Sequence, residues 1–424
     1  MCFRVSAMLP RTAPAANADY NARVISVEEA LAAIDRETAA LSSEPLAVAE
    51  AGGRVLARPV LSDVDWPPFD TSAMDGYAVL LVDVPGPGAS VAERPGTVAA
   101  GDAPPPAISP GEVVRVMTGA PVPPGTQAVV PVEQAERRDG RVVLAAVPRP
   151  GAHLRRRGES VAAGVDLLPA GRRLSATDVA LAALAGADPI DVVRRPRVAI
   201  AATGNELVPA SERPGPGQLR DSNSPMLASL CRERGLSPAI LPRARDETPG
   251  LAALFDPDAA GNADVILTSG GVSAGDFDLV PAEAARQGFS LVFHGVAIRP
   301  GKPIAFGRRR NVFWFGLPGN PVSASVGFRL FVRRALDRLE GVERPGPSRF
   351  FAVLSSEVKP GKRETWKDAL FTAGAEGARV APVASSGSHD IAAHSRANAL
   401  VRIPAGDRNL PAGSPVECIL LELA

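Results

Sequence analysis

The sequence predicts a multidomain α/β protein: a doubly wound, mostly parallel sheet domain with a β-rich inserted module, a helical connecting domain and a C-terminal β-barrel. Three observations predict it. The runs VAIAA (198–202), DVILTS (264–269) and VFWFG (312–316) are continuously apolar, as strands buried on both faces of a parallel sheet must be. Helical segments alternate with them, which is the doubly wound pattern. Short Val-rich runs broken by Pro and Gly precede this region, and strand-like runs return after Pro345.

Each element has its own justification. Residues 1–24 form an Ala- and Pro-containing lead-in. Ser26 then opens a helix, with Glu29 placed to complete a capping box. Val27, Leu31, Ile34 and Leu41 keep one apolar face, with Thr38 its single polar member. GEVVRVM, QAVVPVE and RVVLAAV, divided by Pro/Gly turns, make 46–149 the β-rich module. A second helix runs from Ser175 through Ala185, so helices flank the module, and 25–45 with 150–190 read as a discontinuous helical connecting domain. Residues 191–341 form the α/β domain. Within it SPMLASLCRERG has Ser224 as N-cap, Pro225 in the first turn and Gly235 as stop. NPVSASVGFRLFVRRALDRLEG repeats the device with Asn320, Pro321 and Gly341. FFAVLSSEV, ALFTAG, ALVRIP and VECILLEL make 342–424 a small barrel.

Composition excludes several function classes. At 424 residues, two to four domains are expected. Lys plus Arg and Asp plus Glu both number 46, so no global charge favours nucleic acid or an anionic membrane. Aromatics at 4% leave few platforms for stacking single strands. Cys2, Cys231 and Cys418 fit neither a metal spacing nor a disulfide framework. MCFRVSAMLPRTAP is too short and interrupted for a signal peptide, and no run is long enough to span a bilayer. The cytoplasm is the expected compartment.

In an open parallel sheet, ligands bind at the carboxyl ends of the strands. After VAIAA come Thr203, Gly204, Asn205 and Glu206. After DVILTS comes GGVSAGDFD: Gly270 and Gly271 bare amides toward phosphate oxygens, Ser269 and Ser273 bring hydroxyls, and Asp276 and Asp278 suit a divalent cation. After VFWFG comes LPGNPVSAS, where Gly319 turns the chain and Asn320-Pro321 opens a helix. Between the last two, Arg299 and Lys302 surround a Pro-Gly-Lys-Pro turn. Together these make the inventory of a site for a phosphorylated ligand with a metal. The bland alternatives are a tight turn with a solvated acidic loop, and an ordinary helix start. In the β-rich module, Asp75 before Gly76 is either a site carboxylate or an Asp-Gly turn. Arg155-Arg156-Arg157 is either a solvated face or an oxyanion grip. His153, His294, His389 and His394 are scattered, and no nucleophile–base pair emerges. The motifs of P-loop ATPases and dinucleotide dehydrogenases are absent at strand–helix junctions.

SAMDGYAV, MTGAPVPPG, RRRGE, ATGNEL, TSGGVSAGDFD, RPGKP and GLPGNPVSA, in this order, resemble the MoeA/gephyrin E-domain family, the molybdopterin molybdenumtransferases. The resemblance runs from about residue 25 to the C-terminus and includes SGSHDIAAHSRANALVRIP. It implies an elongated homodimer whose cleft lies between the α/β domain of one subunit and the β-rich module of the other. It also implies molybdenum insertion: adenylylated molybdopterin and molybdate react with Mg²⁺, giving the cofactor and AMP. By motif it carries over Asp75, Thr118, Glu206, Asp246, Asp278, Lys302, Pro318 and Pro321. In that scheme Gly270, Gly271 and Ser273 face pterin or AMP phosphates, with Ser269, Gly319 and Asn320 beside them. Glu206, Asp246 and Asp278 hold the cation, and Lys302 and Arg299 offset phosphate and molybdate charge. Asp75 and Thr118 reach in from the partner subunit. The implied partners are an upstream adenylyltransferase and downstream molybdoenzymes, with no nucleic acid and no membrane. Three positions depart from the commoner pattern: Ser160 after RRRGE, Arg299 opening the PGKP turn, and Gly295 four residues earlier. Those departures keep open a non-catalytic scaffold or cofactor carrier with the same fold. An adenylyltransferase acting one step earlier shares the GGVS-type loop but would need only one compact α/β domain.

Overall fold

The computed structural model describes residues 24–244, 248–272, 279–375 and 377–421. The chain forms two compact units, Ser43–Val192 and Met1–Ser42 with Val193–Ala424. Among the described residues, no helix is long and apolar enough to cross a membrane.

The larger unit is built on a six-stranded sheet: β1 (Val198–Ala202), β2 (Ala239–Ile240), β3 (Val265–Ser269), β4 (Ser290–His294), β5 (Ala305–Arg309) and β6 (Val312–Leu317), in the order β2-β1-β3-β6-β5-β4. β2, β1, β3 and β6 run parallel, and β5 lies antiparallel to both β6 and β4. Every residue of β1 and β3 is buried because both faces are covered. Val198, Ile200, Val265 and Leu267 enter one core, while Ala199, Ala201 and Ile266 enter another with Trp314 and Phe255. Register places Ala202 beside Ser269 and Ser269 beside Leu317. Three strands therefore end level, and the residues that follow them emerge side by side.

Helix α1 (Val27–Glu37) has the Ser26/Glu29 capping box and ends at Thr38, whose hydroxyl donates to Ile34 O at 2.7 Å. Its buried residues, Val27, Ala30, Ala33 and Ile34, lie in the core of the α/β sheet. Helix α2 (Asn223–Arg232) begins earlier than the sequence suggested: Ser222 is the N-cap residue. The Asp221 carboxylate takes the Ser224 amide at 3.0 Å, which pulls the chain into the helix before Pro225. Helix α3 (Pro321–Gly327) continues through a π segment, Phe328–Val332, into Arg333–Leu339. The C-terminal strands β7 (Arg349–Leu354), β8 (Glu364–Gly374), β9 (Gly377–Pro382), β10 (Ala399–Ile403) and β11 (Pro415–Leu420) pair in the order β8-β9-β7-β11-β10. The further β8–β10 pairing closes a five-stranded barrel and leaves it no free edge.

In the Ser43–Val192 unit, six strands pair in the order Ala128–Pro131, Gly76–Val79, Glu112–Val116, Ala89–Val98, Arg141–Leu144 and Ala135–Arg138. A helix, Ala176–Leu184, carries its own capping box from Ser175 and Asp178.

Candidate functional site

The level strand ends of β1, β3 and β6 open into a cavity of about 760 Å³, within the usual range for small-molecule sites. Gly204, Glu206, Gly271, Gly319 and Asn320 are among its lining residues. The turn after β3 demands glycine. Gly270 has φ +98, and a Cβ there would sit 2.5 Å from Thr203 O. Gly204 has φ +143, and the Glu206 carboxylate occupies the space its Cβ would fill, 2.5 Å away.

Not every group expected to face the ligand is free. The Gly270 amide donates to Leu317 O at 3.0 Å, and the Val322 amide in the first turn of α3 donates to Ser388 O at 3.2 Å. Pro321 has no amide hydrogen, so the start of α3 offers less to an anion than its sequence suggested. The Ser269 hydroxyl is 2% exposed; it accepts from Asn223 Nδ2 at 2.7 Å and donates to Pro318 O at 3.3 Å. Ser269 is thus a strut between strand ends. The amides of Gly271, Gly319 and Asn320 have no acceptor among the described residues, which leaves them available to phosphate oxygens.

Among the lining residues not expected from the sequence are Asp221, Asn223 and Arg220. Leu219–Arg220 pairs with Leu207–Val208, and that pairing returns the chain to the end of β1. Asn223 bridges Ser269 and donates to Gly319 O at 2.8 Å, so two strand ends are tied through one amide. The bond to Gly319 O fixes the amide orientation and leaves Asn223 Oδ1 buried without a partner among the described residues. Placing the helix start at Ser222, through the Asp221 carboxylate, was the signal that would have found it.

Glu206, Pro318 and Pro321 also line this cavity. Lys302 and Arg299 are exposed and do not line it, whereas Pro303 does. Ser273, Asp246 and Asp278 lie outside the described residues. Gly295 stands at φ +102, a conformation in which lysine would be strained. Cys231 and Cys418 are buried, and burial pushes their thiols up to about 12 and about 11, which removes them as nucleophiles.

The Ser43–Val192 unit holds a second constellation. Asp75 Oδ1 accepts from the Thr118 amide at 2.7 Å and from its hydroxyl at 2.6 Å. Those two bonds hold the Asp75 carboxyl below the usual carboxylate range. The Asp-Gly turn reading does not stand: Gly76 opens a strand, and a Cβ there would lie 2.2 Å from Val130 O. Nearby, Arg156 Nη1 donates to Asp70 at 2.6 Å and Arg157 Nε to Asp65 at 2.6 Å. Two of the three arginines are thereby neutralised and fasten 156–157 to the segment that leads to Asp75. Ser160 donates its amide to Trp66 O at 3.1 Å and belongs to the same fastening.

Fold and site define a class: a multidomain α/β protein with an amide-lined cavity at the carboxyl edge of a parallel sheet, suited to a phosphorylated ligand. Residues 25–186 match the MoeA N-terminal region (domains I and II), 199–338 a probable molybdopterin-binding domain, and 352–421 the MoeA C-terminal region (domain IV). A molybdopterin molybdenumtransferase of Nostoc sp. is 35% identical over 391 residues, covering 88% of this chain and 87% of that relative. Molybdopterin molybdenumtransferase 2 of Mycobacterium tuberculosis is 35% identical over 380 residues, covering 87% and 92%. The solved molybdopterin biosynthesis MoeA protein of Pyrococcus horikoshii superposes with a TM-score of 0.78 at 27% identity, covering 94% of this chain and all of that one. The chain belongs to the MoeA family of molybdopterin molybdenumtransferases.

Proposed function

We propose that this chain is a transferase of molybdenum cofactor biosynthesis, inserting molybdenum from molybdate into adenylylated molybdopterin with release of AMP. One observation carries the reading: three parallel strands end level around a cavity of about 760 Å³ with the Gly271, Gly319 and Asn320 amides available. Such amides suit the phosphates of a pterin nucleotide. With the phosphoanhydride held there, a molybdate oxygen attacks the pterin-side phosphorus, the P–O bond to the adenylyl group breaks and AMP leaves with the bridging oxygen. The Mo–O bond to that phosphate then breaks as the pterin's two thiols bind molybdenum, their protons leaving with a molybdate oxygen as water. Catalysis of this kind rests on positioning and charge stabilisation rather than on a nucleophilic side chain.

Lys302 and Arg299 offset the charge of phosphate and molybdate in this reading. Asp75, held ionised by Thr118, approaches from the partner of a homodimer. The chain then divides into a lead-in, a discontinuous connecting domain, the β-rich module, the α/β domain and the barrel. The reaction takes place in the cytoplasm, between an upstream adenylyltransferase and downstream molybdoenzymes. Among the described residues, no three His, Cys, Asp or Glu side chains are grouped to hold a metal. The cavity nevertheless offers Glu206 and Asp221 carboxylates, an all-oxygen set that fits Mg²⁺ with substrate phosphates supplying further ligands. Glu206 would hold it, with Asp246 and Asp278 as the proposed further ligands. The ion would neutralise phosphate charge.

The test is incubation of the purified protein with adenylylated molybdopterin, molybdate and Mg²⁺. AMP release is expected. Stoichiometric pterin binding without AMP would favour the carrier reading, and neither would remove both.

A further inference from the structure

We propose that His394, hydrogen-bonded between Asp368 and Ser325, is a positioning residue that holds the Ser385–Asp390 loop of the barrel region against helix α3 and so sets where His389 and Ile391 meet the cavity. The inference deepens the ligand-site reading above and rests on it only for its effect on turnover.

The three side chains come from separate elements: Asp368 from β8, Ser325 from α3, and His394 from the short helix α4 (Ile391–His394). His394 Nδ1 lies 2.6 Å from Asp368 Oδ1, and Nε2 lies 2.9 Å from Ser325 Oγ. The carboxylate can only accept, so Nδ1 carries the proton; in the neutral ring Nε2 then accepts from the serine hydroxyl. The connectivity is that of a nucleophile, a base and its orienting acid. The setting is not. Ser325 is 2% exposed, His394 7% and Asp368 8%, and none of them lines the cavity. No substrate reaches this serine, so the relay's work is mechanical.

What it holds is visible in the adjoining loop. Ser388 O accepts from the Val322 amide at 3.2 Å, and Ser388 Oγ lies 2.9 Å from Asn320 Nδ2. Asp390 ties the loop to itself, accepting from the Ser386 amide at 3.0 Å and the Ala393 amide at 2.9 Å. The loop is therefore one small rigid body attached to α3 at two places, its first turn and Ser325. His389 and Ile391, which line the cavity, lie between these attachments. With the His394 attachment removed, Ser388 makes the remaining hydrogen bonds from the loop to α3 among the described residues, and the buried Asp368 carboxylate loses its His394 partner.

The experiment compares S325A, H394F and H394Q with the wild-type full chain by amide hydrogen exchange and steady-state kinetics. S325A removes one neutral bond and leaves the fold intact even where H394F does not. In S325A and H394F, amides 386–391 should exchange about tenfold faster, while β7 and β11 keep wild-type rates. KM for adenylylated molybdopterin should rise about fivefold with kcat within twofold. H394Q, which can donate and accept, should recover most of both losses. Unchanged loop exchange in S325A, or equal acceleration across β7 and β11, would overturn the proposal. If the wild-type protein releases no AMP, the transferase reading falls by itself, and the exchange data still decide the relay.

Discussion

In the proposed reading the α/β unit offers a ligand mostly backbone amides, which glycines and level strand ends leave without partners among the described residues. In the Ser43–Val192 unit the group that reading assigns to the chemistry is one carboxylate, Asp75, fixed by two bonds from Thr118. The first arrangement suits anions of many shapes and depends on the fold being correct to a few tenths of an ångström. The second is a single charge whose removal leaves its surroundings standing. Binding and chemistry are therefore expected to respond differently to substitution in the two regions.

The largest effect should come from Gly270→Val. Its side chain would meet Thr203 O at a distance no neighbour can yield, so the variant should lose pterin binding and unfold at least 5 °C lower, at a cost of about 2–4 kcal/mol. Calorimetry and binding measured together check this. Intact binding would show that the turn is not the anion cradle. Asp75→Asn should cut turnover by about 10²–10³-fold while the melting temperature stays within about 1 °C, which separates the two regions. A matching loss of stability would mean that Asp75 is structural. Thr118→Val keeps the backbone donor to Asp75 and removes the hydroxyl. Turnover should fall by about tenfold, with the acid limb of its pH profile moved upward because the carboxyl is less well held.

Asn223→Ala sharpens the binding side. It breaks the tie between Ser269 and Gly319 and should raise KM several-fold, with about 1–2 kcal/mol of stability lost. The smallest effect concerns Asp264 at the far end of β3. Burial pushes its carboxyl up, but the Arg194 guanidinium, the Arg197 amide and both positive charges outweigh it and hold it below the usual range. A depressed value in the folded state means stability that is full above the unfolded value of about 3.9 and lost as pH falls through the folded value. The urea midpoint of D264N should thus lie below wild type at pH 7, and the gap should close as pH falls below about 3.9.

Strands β1, β3 and β6 were legible because burial on both faces leaves an unmistakable apolar run, whereas the exposed β2 and the half-buried β4 left none. The capping box at Ser26 was legible too, and Ser175 as a helix start. The barrel was legible as strands, but its closure depends on the β8–β10 pairing, which no local pattern encodes. Within the site, the glycine turn was read correctly, yet the amides it frees were not: Gly270's is consumed by Leu317, a partner 47 residues away. Asn223 was missed because the Asp221 cap competes with Ser224 for the helix start, and the sequence weighed only the latter. The Asp368–His394–Ser325 relay had no sequence signal, since its members lie on three elements separated by 26 and 69 residues. Scattered histidines look alike until a fold chooses among them.

The division of labour between the regions meets its most direct test in a single-turnover experiment with Asp75→Asn. Protein preloaded with adenylylated molybdopterin is mixed with molybdate and Mg²⁺, and bound nucleotide and free AMP are followed together. Wild type should release AMP, while the variant should keep its nucleotide bound and release almost none. AMP appearing at the wild-type rate, or a variant unable to take up the nucleotide, would contradict the account.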